Sequence, residues 1–363
     1  MLSLSWLMTA LAALSLASPL TEIEAHREMD NLPRLVVYFQ TTHDPRGHPI
    51  SMLPLVQQKG IALTHLIVCS LHVNENGEIH LNDYPPSDPL FYTLWNETQV
   101  MKRAGVKVMG MIGGAAPGSF SKSTLDGNAA TFAKYYGQLR NVILRFQLQG
   151  LDIDVEQDMS QHGIARLIDQ LHKDFGSGFI ISLAPVASAL RNGGNLSGFN
   201  YKHLDARSGS KISFYNGQFY SGFGTMASTR DYTNIVSSGF AASRVVAGQL
   251  TSPANGGGYT PYSMLNATVM ALKNKYKQIG GVMGWEYFNS QPGGTAEPWK
   301  WAQIMTQILR PNSVPRLVIA RDTADRLAAA YARSRAPAPD SQTAKQAQNL
   351  DTPNVDYHAM VNA

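Results

Sequence analysis

Eight short apolar runs rich in β-branched residues alternate with amphipathic stretches, and this alternation restricts the possible folds more than any other feature of the chain. The runs lie at residues 34–40, 65–71, 106–112, 150–156, 179–185, 212–220, 244–250 and 281–288. A doubly wound sheet would instead carry a glycine-rich phosphate loop of the GxGxxG type, which the chain lacks. We therefore predict an α/β fold, a single (β/α)8 TIM barrel with its active site at the C-terminal mouth of the strands.

The two ends of the chain differ in composition from the predicted barrel. An apolar run from Leu2 to Leu16, followed by small residues, is typical of a secretory signal peptide, which we assign to residues 1–17. Residues 18–33 are predicted to be a pro-segment, and residues 34–312 the (β/α)8 domain. Residues 313–363 form an Ala- and Pro-rich tail, with one helix expected from Leu317 to Arg333 and disorder or processing beyond it. We expect a secreted, extracellular protein.

Composition and short motifs agree with secretion and argue against two classes of partner. Three N-x-S/T sequons begin at Asn96, Asn195 and Asn266 and are candidate glycosylation sites. The net charge of +4 is mild, and no Lys/Arg run is interleaved with aromatic residues, so nucleic-acid binding is not expected. After the signal peptide no stretch approaches the ~18 apolar residues of a membrane span. The expectation is a monomer without a membrane partner.

The fourth run, GLDIDVE at residues 150–156, carries three acids at alternate positions: Asp152, Asp154 and Glu156. Alternate residues of a strand face the same side, so the acids would face the barrel interior while the aliphatic residues face the helices. Burying three carboxylates is costly unless they are paired, hydrogen-bonded or protonated. Glu156 ends the strand at the mouth, where a retained proton would let it act as a general acid.

Two other interpretations of the three acids compete with this one. An acidic string can bind a metal ion, but the glycine and spacing of an EF-hand are absent, and the ten histidines form no HExxH-like group. A structural acid ladder on an exposed edge is the second alternative, and the aliphatic opposite face argues against it. We therefore predict no metal ion and no cofactor.

The same stretch resembles the D-G-x-D-x-D-x-E signature of glycoside hydrolase family 18, which contains chitinases and endo-β-N-acetylglucosaminidases. VVYFQ resembles the first barrel strand of this family, VKVMGMIGG the third, LAPVA the fifth, NGQFYSG the sixth and GGVMGWEYF the eighth. The resemblance spans residues 34–310, the whole predicted barrel. It departs from the family pattern at Gln149, where the signature has its first Asp, and at Met111, where a Ser usually precedes the paired glycines.

The resemblance implies a retaining, substrate-assisted hydrolysis, in which the substrate's own 2-acetamido oxygen attacks the anomeric carbon. Glu156 would protonate the glycosidic oxygen and later act as the base for water. Asp154 would orient the acetamido group and stabilise the oxazolinium-like intermediate, while Asp152 would share a proton with it as a coupled pair. Tyr220 would hydrogen-bond the acetamido carbonyl, with Gln218 beside it.

The resemblance also implies residues that contact the sugar. Trp285 would form the floor under the distorted ring, Tyr38 stands at the usual aromatic position of the first strand, and Gly113 and Gly114 match the paired glycines of the third. Weaker candidates for the same site are Tyr215 and Asn216. The alternative for the aromatic residues is ordinary packing inside the barrel.

Several segments, among them ISLAPVASAL, QFYSGFG, VVAGQLTSP and GGVMGWEYFNSQPGGTAEPW, are similar to secreted fungal endo-β-N-acetylglucosaminidases. This similarity implies an N-glycan or glycoprotein substrate, of the high-mannose type, cut between the two GlcNAc residues of its core. A secreted fungal chitinase is the alternative, because chitin contains the same GlcNAc-β1,4-GlcNAc linkage and family membership does not choose between them. A catalytically inactive glycan-binding barrel is a more remote alternative, against which the intact Glu156 argues.

Overall fold

The computed structural model describes residues 33–74, 78–312 and 319–335, and its centre is a closed sheet. The strands of this described part are β1 (Arg34–Phe39), β2 (His65–Val73), β3 (Ile79–Leu81), β4 (Lys107–Gly114), β5 (Gly150–Val155), β6 (Ile180–Leu183), β7 (Phe214–Gln218), β8 (Val245–Leu250) and β9 (Gly281–Trp285). All neighbouring pairs are parallel except β2 and β3, and β1 pairs with both β2 and β9. The sheet therefore closes into an eight-stranded parallel barrel, to which β3 adds a short hairpin.

Helices connect the barrel strands. They are α1 (Pro54–Gln57), α2 (Tyr92–Arg103), α3 (Ala129–Phe146), α4 (Gln161–Phe175), α5 (Tyr201–Ser208), α6 (Arg230–Ser237), α7 (Tyr262–Tyr276), α8 (Lys300–Leu309) and α9 (Arg321–Arg335). Local sequence sets several helix starts: the side chains of Asn128, Ser160 and Asn200 each accept a hydrogen bond from the backbone N–H three residues on. Gly176 ends α4 at φ +75°.

The core has two layers because each strand places alternate residues on opposite faces. The larger layer lies between sheet and helices and receives, from β5, the side chains of Leu151, Ile153 and Val155. The smaller layer fills the barrel interior with residues such as Val36 and Met109. The β5 acids therefore face the interior, as the alternation of the sequence predicts.

The predicted (β/α)8 barrel is confirmed, with differences of detail. The short strand β3 was not predicted, and β7 ends at Gln218, two residues before the end of the expected run. The C-terminal helix starts at Arg321 rather than Leu317 and packs against α2, where Ala324 is buried. A segment of the predicted tail therefore packs on the outside of the barrel.

Several predictions concern residues outside the described part of the chain. They are the signal peptide at residues 1–17, the pro-segment apart from its last residue, Pro33, and the tail beyond Arg335. Within residues 33–74, 78–312 and 319–335, no helix combines the length and the apolar character that crossing a membrane requires.

Candidate active site

Strand β5 carries two of the three acids and delivers the third to the mouth. Asp152 is fully buried and Asp154 nearly so, whereas Glu156, the first residue after the strand, is half-buried. The acids thus run from the interior towards the C-terminal opening, where the active sites of such barrels lie. Strands β1, β6 and β7 supply the polar partners of these acids.

Asp152 is surrounded by hydrogen-bond donors. One carboxylate oxygen accepts from the Tyr38 hydroxyl at 2.6 Å, and the other accepts from Ser182 Oγ at 2.5 Å and Asn216 Nδ2 at 3.1 Å. Burial raises the pKa of Asp152, and these three donors oppose the rise because they stabilise the charged form. The arrangement suits a carboxylate that holds a negative charge inside the barrel.

Asp154 has the opposite surroundings. Its only side-chain hydrogen-bond donor among the described residues is Gln218 Nε2, at 3.2 Å. Burial raises the pKa of Asp154 well above the usual value of an aspartate, and the nearby carboxylates of Glu156 and Asp152 raise it further. Of the two buried aspartates, Asp154 is therefore the one suited to hold a proton.

Gln218 joins Asp154 to Glu156. Its Nε2 lies 3.2 Å from Asp154 Oδ1, 3.1 Å from Glu156 Oε1 and 2.9 Å from the backbone oxygen of Ala184. An amide nitrogen has only two hydrogens, so these three acceptors compete for them. Gln218 ends β7, which β6 separates from β5, so the amide reaches the two acids from two strands away.

The paired glycines let β4 approach the acid-bearing strand. A Cβ on Gly113 would lie 2.1 Å from the backbone oxygen of Asp154 and 2.5 Å from the Phe120 ring. A Cβ on Gly114 would lie 3.9 Å from Asp154 Oδ2. Both glycines also have positive φ, +101° and +89°, which side chains disfavour. These positions therefore shape the wall beside Asp154.

Aromatic residues complete the mouth. Tyr220 is buried, and burial together with the nearby Asp154, Glu156 and Asp152 carboxylates raises the pKa of its phenol well above normal, so it remains a neutral donor. Trp285 ends β9 half-buried, and its ring meets that of Tyr38 edge-on with centroids 5.6 Å apart. Both Tyr38 and Tyr220 belong to the interior core layer, against which Trp285 packs.

One candidate lies elsewhere. Tyr215 belongs to the layer between sheet and helices, and its hydroxyl donates to Asp205 Oδ1 at 2.7 Å. Its neighbours Asn216 and Gln218 face the acids, so the alternation of β7 sends Tyr215 to the opposite face. Our expectation of Tyr215 as a weaker site residue is therefore wrong, whereas Asn216 lies in the site.

Sequence reasoning missed two polar residues. Ser182 pairs in register with Asp152 across β5 and β6, and it is the polar residue of the apolar run IISL, a signal that could have found it. Glu286 follows Trp285, and its carboxylate accepts hydrogen bonds from residues 40 and 41. The Trp-Glu pair by itself gives no hint of these contacts.

The departures from the family pattern lie beside the acids rather than among them. Gln149 precedes β5, and its Oε1 accepts a hydrogen bond from the backbone N–H of Val108 at 2.9 Å. Met111 fills the barrel interior next to the glycine pair. Within the described part of the chain no group of three or more His, Cys, Asp or Glu residues is arranged to hold a metal ion.

A buried acid ladder at the mouth of a (β/α)8 barrel, with an amide and aromatic rings around it, suits a glycosidase, and comparison with known proteins gives the family. Residues 34–237, more than half of the chain, match the family described as glycosyl hydrolases family 18. The chain belongs to glycoside hydrolase family 18. No curated protein matches the chain.

Solved structures agree with this assignment. A fungal endo-β-N-acetylglucosaminidase of family 18 is 66% identical with a TM-score of 0.77, and the match covers 78% of this chain and 100% of that one. A chitinase from Aspergillus fumigatus is 49% identical with a TM-score of 0.69, covering 75% and 98%. A chitinase from Pseudoalteromonas aurantia, 20% identical with a TM-score of 0.61 over 76% and 100%, shares the fold.

Proposed function

We propose that the chain is an endo-β-N-acetylglucosaminidase that cleaves the GlcNAc-β1,4-GlcNAc core of N-linked, high-mannose glycans and leaves one GlcNAc on the protein. The observation that carries the proposal is the 66% identity to a fungal endo-β-N-acetylglucosaminidase over that protein's full length, against 49% to a chitinase. The acid ladder supports the chemistry, since both activities need an acid beside a 2-acetamido sugar.

In the first step, Glu156 donates its proton to the glycosidic oxygen as the bond to the anomeric carbon breaks. The substrate's acetamido oxygen attacks the same carbon and forms a cyclic oxazolinium cation. Asp154 is the side chain that would bind the acetamido N–H and offset the positive charge. Its raised pKa supports a proton on this residue before the substrate binds, and the cation then favours the ionised form.

Asp152 and the aromatic residues would prepare this step. As the coupled partner of Asp154, Asp152 would take up the proton that Asp154 releases when the cation forms, while Tyr38, Ser182 and Asn216 hold the Asp152 carboxyl group in place. The neutral Tyr220 phenol would donate to the acetamido carbonyl, and the Trp285 ring would lie under the sugar. In the second step Glu156 takes a proton from water, which attacks the anomeric carbon, breaks its bond to the acetamido oxygen and restores the original configuration.

The experiment is an intact-mass measurement on a glycoprotein bearing high-mannose glycans. A mass loss that leaves one N-acetylhexosamine on each site is the predicted result. An unchanged glycoprotein, together with release of short oligomers from chitin, would replace this proposal with the chitinase alternative, which the 49% identity favours next. The Glu156→Gln variant is the matched control, because it keeps the size of the side chain without the acid.

We also propose that the protein is a secreted, monomeric glycoprotein that binds neither membranes nor nucleic acid. The apolar run at residues 2–16 supports secretion, and the exposed sequon residues Asn195 and Asn266 are accessible to a glycan, whereas Asn96 is half-buried in α2. Expression of the full chain, with residues 1–33 included, in a fungal host tests secretion. Recovery from the medium with an N-terminus beyond residue 17 is expected, and retention in the cell with Met1 intact would contradict it.

A further inference from the structure

The Glu286 side chain crosses the seam where the last barrel strand meets the first. Glu286 directly follows Trp285, the last residue of β9. Its Oε2 accepts hydrogen bonds from the backbone N–H groups of Gln40 at 3.2 Å and Thr41 at 2.8 Å, and its Oε1 accepts from Thr41 Oγ1 at 2.5 Å. Gln40 and Thr41 come directly after β1. Both carboxylate oxygens are thus engaged in joining the ends of two strands.

The opposite side of Trp285 is held by different residues. The backbone oxygen of Trp285 accepts from Thr251 N at 2.9 Å and from Asn255 Nδ2 at 3.0 Å, and the backbone oxygen of Glu286 accepts from Thr251 Oγ1 at 2.5 Å. Thr251 follows β8. The segment that carries the Trp285 ring is therefore fixed to β8 through its backbone and to the end of β1 through the Glu286 carboxylate.

The same seam carries Tyr38, which contacts the buried acids. Tyr38 lies two residues before Gln40, its backbone oxygen accepts from Tyr287 N at 3.0 Å, and its ring meets the Trp285 ring edge-on. The Tyr38 hydroxyl donates to Asp152 at 2.6 Å. A displacement of the end of β1 relative to β9 would therefore move the Trp285 ring and the Tyr38 hydroxyl that donates to Asp152 relative to each other.

We propose that Glu286 is a positioning residue that sets the place of Trp285 and Tyr38 in the active site. This inference rests on the proposed function, because it assigns Trp285 to sugar binding and Tyr38 to the support of Asp152. All three partners of Glu286 are donors, which suits a carboxylate with two acceptor oxygens. The amide of glutamine keeps the length but removes the charge, and its NH2 group meets the Thr41 hydroxyl as a donor. That hydroxyl must therefore turn round to accept, and the charge-assisted hydrogen bonds to residues 40 and 41 become weaker neutral ones.

The test compares Glu286→Gln with wild type on a high-mannose glycopeptide, using Glu297→Gln as a matched control. Glu297 lies on the segment that follows β9, and its side chain is partly exposed and paired with Lys300. For Glu286→Gln we expect kcat/KM to fall by about tenfold or more, mainly through KM, because substrate binding on Trp285 is weakened. Glu297→Gln should stay within about twofold of wild type.

A second variant separates positioning from general stability. Thr41→Val removes the hydroxyl donor to Glu286 Oε1 and keeps the shape of the side chain. If Glu286 acts through this contact, the loss in kcat/KM of the double variant should be smaller than the product of the two single losses. A lower melting temperature for Glu286→Gln with kcat/KM unchanged at 25 °C would overturn the proposal and leave a purely structural role.

A measurement without ligand keeps this inference distinct from the proposed function. The edge-on pair of Tyr38 and Trp285 rings should contribute to the near-ultraviolet circular dichroism, and Glu286→Gln should change that signal. When Trp285→Phe is compared with the double variant Trp285→Phe, Glu286→Gln, this change should be absent. If wild type cleaves no glycan, the proposed function fails, while an identical spectrum for Glu286→Gln and wild type would overturn the positioning role itself.

Discussion

The two ends of the barrel interior both bury an ionisable group, but with opposite surroundings. At the N-terminal end of the strands, His65 lies edge-on to Phe214 at 5.2 Å, and burial together with the Arg34 and Lys107 charges lowers its pKa to about 3. At the mouth, burial and neighbouring acids raise the pKa of Asp154. Burial suppresses charge in both places. Burial of an ionisable group therefore does not by itself make a catalytic site. At the mouth, other strands also supply hydrogen-bond donors, and β5 supplies a second buried acid.

The largest effect should come from removing the acid at the mouth. Glu156→Gln should lower kcat by about 10³-fold or more, because general acid catalysis supplies roughly 10²–10⁴-fold. The variant should still bind high-mannose glycopeptide, which isothermal titration calorimetry can measure. Substantial residual turnover would show that another group protonates the leaving oxygen.

Asp154→Asn should have the next largest effect. The amide cannot change its charge when the oxazolinium cation forms, so we expect kcat on the natural substrate to fall by about 10²-fold or more. A preformed oxazoline sugar should still serve as a donor, because the step that needs Asp154 is already complete. Mass spectrometry of the transfer product checks this, and failure with both substrates would refute substrate assistance.

A smaller effect is expected from Ser182→Ala. Losing this donor to Asp152 removes a contact that lowers the pKa of Asp152, so that pKa should rise. If the ionised form is required, the acid limb of the kcat/KM profile should move to higher pH, with a loss of about tenfold at the wild-type optimum. An unchanged kcat/KM profile would show that the ionisation of Asp152 does not set the acid limb.

At the other end of the barrel, His65→Gln should leave kcat/KM within about twofold of wild type and change stability instead. The folded pKa of about 3 lies below the ordinary value of 6.5, so unfolded protein binds more protons between these values. Wild-type stability should therefore fall as the pH drops from 6.5 towards 3, by at most about 1.4 kcal/mol per pH unit from this group. Urea unfolding of both proteins at several pH values measures the difference, and equal slopes would contradict the prediction.

The smallest effect is expected from chelation. Among the described residues no group of three or more His, Cys, Asp or Glu is arranged to hold a metal ion, so EDTA should change the rate by less than about twofold. Hydrolysis assays before and after dialysis against EDTA provide the check. Strong inhibition that added Mg²⁺ or Zn²⁺ reverses would contradict the proposed mechanism.

The fold and the acid ladder could be predicted from the sequence because both rest on local patterns. β-branched runs mark the strands, and the alternation in β5 places Asp152 and Asp154 on one face. The same alternation, applied to β7, would have excluded Tyr215 once Gln218 was assigned to the interior. The alternation of strand residues thus predicted the buried acids correctly, and its use on β7 would have avoided the error at Tyr215.

The partners of the acids could not be predicted in this way. Ser182 meets Asp152 through the register of β5 and β6, and Glu286 meets Thr41 across the closure of the barrel, 245 residues away in the chain. Contacts of this kind depend on strand order and register, which no local pattern encodes. Roles for Tyr220 and Trp285 came from the family resemblance, because aromatic residues inside a barrel also serve as packing.

The measurement that tests the central claim most directly is proton NMR of the product during the first minutes of hydrolysis. A substrate-assisted reaction at the mouth retains the configuration of the anomeric carbon, so the new reducing-end GlcNAc should appear first as the β-anomer and then equilibrate. Initial release of the α-anomer would require direct attack by water and would contradict the mechanism assigned to Asp154 and Glu156.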